Sequence, residues 1–345
     1  MNAKLNQLIG LTVALFLVPI ATLAAETGGS VLKEVRQLGV VRCSVSTANG
    51  FASHDESGRP IGFMVDLCRA VAAATLGNAE AIELRRFSRS QEYSAIENGD
   101  IDVSFAMNGW TLTRPPGHKI KFAPPIFYDS QAIAAWRDVA MKPVDDRQKS
   151  VVCVPTESSA KENMETLIRR TGRKWTLRTL NSWEEAVQAF LGRECSLLTG
   201  NRTALINSLR SLQRAQDGDI VILPEAISRQ ALAPMVSAND HQWESIIRWT
   251  IYALFIADEK GITAASVRTL RVSGDQETKH LLEGVSAVGS SLGLANDWVS
   301  RVITQVGNYG EIFERNLGTE SPFHMERGLN KPWTQGGLLY SAPFQ

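Results

Sequence analysis

One supersecondary order runs through the chain twice, and this repetition limits the fold more than any other feature. Residues 40–46 read as a strand, and 63–76 as a helix with Val65, Leu67, Val71 and Ala72 near helical spacing. A strand at 82–87, a short helix at 91–97 ending at Asn98-Gly99, and a strand at 101–106 complete the first copy. The second copy has a strand at 150–155, a helix at 159–170 stopped by Gly172, and a strand at 175–180. A helix at 183–191 follows, opened by Ser182 with Glu185 three residues on as a capping box and closed by Gly192, and then a strand at 195–199. Strands alternating with helices build parallel sheets from right-handed units. The predicted fold class is therefore α/β, with two lobes that each carry a central, mainly parallel sheet flanked by helices.

In an open parallel sheet, ligands bind beyond the carboxyl ends of the strands. Those ends are the loops 47–51, 87–91 and 106–114 in the first copy, and 155–159, 180–182 and 199–203 in the second. With the two sheets face to face, all six loops line one cleft. An extended segment at 127–138 crosses between the copies and 228–235 crosses back, and two crossings make a hinge that permits rigid-body closure. Helices predicted at 243–256, 264–270 and 298–306 complete the first lobe. The expected boundaries are 1–25 for a leader, 26–131 for the first part of lobe one, and 132–233 for lobe two. Residues 234–345 return to lobe one and add a C-terminal helical extension.

The first segment has the layout of a secretory signal. Lys4 precedes an apolar run from Leu8 to Leu23, and Ala24 and Ala25 offer small residues ahead of polar Glu26. Pro19 interrupts the run, which is short for a bilayer span, and no later segment is long and apolar enough for one. The expectation is a cleaved leader and a periplasmic mature chain. With 36 basic and 36 acidic residues and no basic stripe interleaved with aromatics, nothing points to a nucleic-acid partner. Four cysteines in an exported chain imply two disulfides, and three pairings are open. The layout favours Cys43–Cys68 and Cys153–Cys195, because each pair then stays within one lobe. The spacing suits no zinc site, so neither metal nor cofactor is expected.

Several stretches then identify a resemblance: GFMVDLCRAVAAATLG at 62–77, GDIDV at 99–103, WTLTR at 110–114, VILPE at 221–225 and WTIYALFIADEKGIT at 249–263. To these add LGLANDWVSRVITQVGNYGEIFERNLG at 292–318 and the tail containing RGLNKPW and GGLLYSAP. The chain resembles the periplasmic solute-binding proteins of polar amino-acid ABC importers (bacterial extracellular solute-binding proteins, family 3), most of all their general L-amino-acid-binding branch. The resemblance implies a type II periplasmic-binding-protein fold. It also implies capture of an amino acid or amino-acid-like solute without enzymatic turnover, and delivery to a membrane permease with its ATPase by a protein that is usually monomeric. All four cysteines fall where that branch carries cysteines.

The resemblance also assigns roles. Arg114 matches the arginine that clamps a ligand carboxylate, a task suited to a planar guanidinium with two parallel donors. Ser158 and Ser159 sit where a hydroxyl-rich turn opens the first helix of lobe two, although Ser158 or Ser159 as a plain N-cap reads equally well. Phe51 matches an aromatic beside the ligand, with core packing as the equal alternative. Gly109 is a candidate contact on the loop that leads to Arg114.

The departures concentrate in the same loops. Asn201 stands where Asp normally takes the ligand ammonium, and Glu92 where Arg is usual. Met107, Asn108 and Gly109 replace a polar Asn-Thr-Thr run, and Met64 replaces an Asp. Three readings stay open. Glu92 supplies the acid that Asn201 lacks and favours an amine-bearing solute; or binding is lost and the chain acts through protein contacts; or Glu92 faces solvent and broad specificity tolerates Asn201. A dehydratase-like enzyme on this architecture is the competing class, because such a reaction needs a carboxyl as general acid. Glu92 and Glu157 are the acids on the six loops; His118, four residues past Arg114, is the nearest histidine.

Overall fold

The computed structural model describes residues 30–111, 117–141, 149–156, 158–210, 218–283 and 288–344. The strands are β1 (Val41–Ser44), β2 (Ser53–His54), β3 (Pro60–Ile61), β4 (Ile82–Arg85), β5 (Val103–Ser104), β6 (Ile120–Phe122) and β7 (Phe127–Asp129). The rest are β8 (Gln131–Trp136), β9 (Val151–Pro155), β10 (Thr176–Leu180), β11 (Leu197–Asn201), β12 (Ile220–Ile222), β13 (Gln230–Leu232) and β14 (Met235–Ser237). They form two five-stranded sheets of the same plan, β4-β1-β5-β14-β6 and β10-β9-β11-β8-β12. In each sheet three parallel strands are followed by an antiparallel strand that has just crossed from the other lobe. The crossings themselves pair as a separate antiparallel ribbon, β7 with β13.

The helices Phe63–Leu76, Trp183–Leu191 and Trp298–Val306 coincide with the sequence expectation. The first is buried almost all round, because Trp298–Val306 and His241–Glu259 pack against it. One apolar core therefore runs from Val41 and Cys43 through Phe63, Trp243 and Ile247 to Val302 and Phe313, and residues of the C-terminal helices are part of it. Lobe two holds smaller clusters on the two faces of its sheet, one around Trp136, Phe190 and Leu198 and another around Ile133, Val152 and Met164. Each lobe has its own disulfide, Cys43–Cys68 and Cys153–Cys195, as the sequence layout favoured. Among the described residues no helix is long and apolar enough to cross a membrane.

The helix Phe63–Leu76 starts without a side-chain cap. The Phe63 and Met64 N–H groups donate instead to the carbonyls of Gly50 and Phe51, both at 2.9 Å. This close approach is open only to a residue without Cβ: Gly62 has φ +133°, and a Cβ there would stand 2.3 Å from the Phe51 carbonyl oxygen. Gly62→Ala should destabilise the protein by about 3 kcal/mol, combining a disfavoured backbone with a backbone clash, and urea unfolding would measure it.

Three local expectations differ. The capping box at Ser182 is half made. Ser182 Oγ accepts from Glu185 N–H at 3.1 Å, but the Glu185 carboxylate accepts from Asn181 N–H and not from Ser182. The strand at 101–106 shortens to Val103–Ser104 because the chain turns away directly after it. A further helix, Arg202–Arg210, follows β11 without any loop, so the expected loop 199–203 is part strand and part helix.

Candidate functional site

The floor of lobe one lies where β1 and β5 end. Ser44 and Ser104 are register partners at those ends, and the first turn of the helix Arg89–Glu97 places Glu92 over both. Glu92 Oε1 accepts from Ser44 Oγ at 2.7 Å and from Ser104 Oγ, and Asn108 Nδ2 donates to Ser104 Oγ at 2.9 Å. Glu92 is only 2% exposed, which corrects the reading of a solvent-facing carboxylate. No ion pair reaches it among the described residues. Two hydroxyl donors offset part of the cost of burying the charge.

Beyond β5 the chain turns at Met107, whose φ of 34° lies in the left-handed region that side chains other than Gly and Asn disfavour. The turn lays the following residues along the hinge ribbon. Ala233 N–H donates to Asn108 C=O at 2.9 Å, Trp110 N–H donates to Ala231 C=O at 2.7 Å, and Gly109 bridges to Leu232. Gly109 thus sits on the ribbon, with space for a Cβ only 3.9 Å from Gln230 Nε2. Arg114, four residues past Trp110, lies outside the described residues, as does Glu157.

Phe51 is 1% exposed, with its ring edge-on to Phe63 and Phe127 at 6.1 and 5.5 Å. The space beside it, also lined by Met107, Asn108 and Leu232, is about 10 Å³, room for one water at most. Of the two roles open to Phe51, packing under the floor is the one that describes this conformation.

In lobe two, Ser158 is the N-cap of the helix Ser159–Thr171. Its hydroxyl donates to Pro155 C=O at 2.8 Å and accepts from Lys161 N–H at 3.4 Å. Ser159 is exposed, and its hydroxyl has no partner among the described residues. Together with Thr156, Lys161, Glu162 and Glu165 these serines border an open hollow of about 600 Å³ at the helix start; the backbone donors and helix dipole there favour an anionic group, and the two carboxylates oppose it.

Asn201 closes β11, and its Nδ2 donates to Gln230 Oε1 at 3.0 Å. Gln230 therefore stands between the Gly109 loop of lobe one and Asn201 of lobe two, a position that the sequence reading missed. Asp129, opposite Gln230 on β7, is also buried. It accepts from Thr203 Oγ1 at 2.5 Å and from Ser130 N–H at 2.8 Å, and so ties the ribbon to the start of the helix Arg202–Arg210. Burial pushes its carboxyl above the usual Asp range, against the pull of the Thr203 hydrogen bond.

Two sheets of the same strand plan, joined by a two-stranded ribbon on which a loop of one sheet and a strand end of the other meet, define a type II periplasmic-binding fold. The chain belongs to the bacterial extracellular solute-binding proteins, family 3, which it matches over residues 41–254. It is 34% identical to the general L-amino acid-binding periplasmic protein AapJ of Rhizobium johnstonii, over 99% of both chains. It is 33% identical to the glutamate/glutamine/aspartate/asparagine-binding protein BztA of Rhodobacter capsulatus, over 94% of this chain and 96% of that one. Among solved structures it is similar to an ABC transporter periplasmic binding protein from Brucella ovis with glutathione bound. That match has 32% identity and a TM-score of 0.80, covering 92% of this chain and 100% of the other.

Proposed function

We propose that this chain is the periplasmic capture component of an ABC importer for amino acids or amino-acid-like solutes, exported through a leader at 1–25 and acting as a monomer. The observation that carries the reading is the junction at Gln230. There a loop from the carboxyl edge of one sheet and the last residue of a strand in the other meet on the ribbon joining the lobes. A solute held between those edges is enclosed when the lobes rotate, and it stabilises the closed form by the amount it binds that form better. The near full-length likeness to AapJ supports the solute class, and the likeness to the Brucella protein, whose structure has glutathione bound, supports including that molecule among the solutes to be tried.

In this reading Arg114 takes the ligand carboxylate on lobe one, the helix start at Ser158 and Ser159 adds donors from lobe two, and Asn201 accepts from the ligand amine. Glu92 adds negative potential under the floor through Ser44 and Ser104, favouring an amine-bearing solute. The closed complex then docks on a permease with its ATPase. Turnover has little support here, since the Glu92 carboxylate is occupied by two seryl hydroxyls and is 2% exposed. A thermal-shift screen of the mature protein against amino acids, polyamines and glutathione tests the proposal. A stabilising α-amino carboxylate is expected; no shift with any of them, or chemical conversion of a carboxylated ring, would overturn it.

Asn201 gives a sharper test. An amide oxygen accepts from an ammonium without a full charge, so Asn201→Asp should tighten binding of an α-amino acid by roughly 1–2 kcal/mol, about five- to thirtyfold. Gln230 accommodates the change by turning its amide, so that Nε2 donates where Oε1 now accepts. Calorimetric titration of both proteins would show it, and an unchanged or weaker affinity would remove residue 201 from the ammonium site.

A further inference from the structure

The C-terminal tail reaches back to the hinge. Its turn Gly328–Asn330 lies along the outer edge of β7, the edge facing away from β13. Asn330 is 4% exposed, and its amide acts as a missing strand: Oδ1 accepts from Tyr128 N–H at 2.6 Å and Nδ2 donates to Tyr128 C=O at 3.0 Å. The tail is rooted in lobe one. The Asn330 carbonyl accepts from Arg327 Nε at 3.0 Å and Nη2 at 2.8 Å, and the Arg327 guanidinium pairs with Asp258 at 2.5 Å near the end of the helix His241–Glu259. It also lies over the Tyr309 and Phe313 rings, 5.4 and 5.8 Å from their centroids.

One residue further along β7 the attachments change lobe. Asp129 is held by Thr203, and Arg202 N–H donates to Ser130 C=O at 2.8 Å, both on the first turn of a lobe-two helix. The returning strand changes at the same rung. Ala231, the register partner of Tyr128, accepts from Trp110 of lobe one, whereas Gln230, the partner of Asp129, is bonded to Asn201 of lobe two.

We propose that Asn330 is a positioning residue for lobe closure, fixing the pivot between the Tyr128–Ala231 and Asp129–Gln230 rungs. The inference rests on the reading that the lobes move against each other to enclose a solute. Without the Asn330 bonds, the lobe-one part of β7 loses its outer ladder, and bending spreads towards Ile126 and Phe127. Two neutral hydrogen bonds of ordinary strength correspond to about a tenfold change in local opening.

The test uses the ligand-free protein with spin labels introduced as non-natural residues at exposed Ser57 and Arg170, one in each lobe. Asn330→Ala removes both bonds to the Tyr128 backbone. It should broaden the inter-lobe distance distribution and speed hydrogen exchange at the Tyr128 amide about tenfold. Arg327→Lys keeps the charge towards Asp258 but frees the Asn330 carbonyl, and should broaden the distribution less. A distribution superimposable on the wild type in both variants would overturn the proposal, even if their melting temperatures fall. A wild-type protein that no solute shifts would count against the transport reading alone, because the ligand-free distances still decide the pivot.

Discussion

Arg114→Ala should abolish the ligand-induced thermal shift while leaving the unliganded protein folded. Truncating one member of a charge-paired, largely desolvated contact costs about 2–5 kcal/mol, so capture should weaken about a hundredfold or more. At a ligand concentration of about 100 times the wild-type Kd the stabilisation is about 2.7 kcal/mol; a hundredfold weaker variant keeps only about 0.4 kcal/mol. His118→Ala is the matched control. Its imidazole Nδ1 lies 2.9 Å from Glu97 and its ring 5.1 Å from that of Tyr93, so it belongs to the helix Arg89–Glu97 rather than to the hinge loop. The Glu97 carboxyl is held below its usual range first by the Lys119 N–H and then by His118, which makes this a local surface contact. The ligand shift should survive in the His118 variant. A shift retained in the Arg114 variant would take that guanidinium out of the clamp.

The elements legible in the sequence share a physical property: their boundaries are marked locally. Phe63–Leu76 is ended by Gly77 in the left-handed conformation, and Trp183–Leu191 is opened by the Ser182 hydroxyl. Periodicity and caps suffice for such helices. The helix Arg202–Arg210 carries no such mark, because it leaves β11 directly and its first turn is held by Asp129, 74 residues before Thr203, and by the adjoining Ser130. The same distinction separates the site residues. Ser158 was readable as a residue at a helix start, and the loop carrying Gly109 as the end of a parallel strand. Gln230 and Asn330 were not, since each takes its role from a partner brought in by tertiary structure, Asn201 and Tyr128 respectively. Glu92 was visible as a charge in an unusual place. That it is buried follows from Ser44 and Ser104 meeting in register beneath it, which one strand's sequence cannot reveal.

Removing the lobe-two disulfide should have the largest effect on stability, and a local one. Cys153 and Cys195 close a separation of 42 residues, and loop entropy assigns such a link about 4 kcal/mol; Cys43–Cys68, with 25, comes to about 3.5 kcal/mol. Each is a large fraction of the roughly 5–15 kcal/mol that holds an ordinary domain together. The two losses should not look alike. Cys68 is on the helix Phe63–Leu76, packed within one large core that extends to the C-terminal helices, so the first lobe retains much of its burial when the link is cut. Lobe two divides its apolar residues between the two faces of its sheet, and the link ties β9 to the start of β11 through that thinner core. Cys153→Ala/Cys195→Ala should therefore split unfolding into two steps, with lobe two melting about 10–20 °C lower and the first lobe nearly unmoved. Calorimetry would resolve the two transitions, and hydrogen exchange would place the early one at residues 149–210. A single transition at the wild-type midpoint would mean that the sheet of lobe two is held by contacts across the ribbon and not by its own staple.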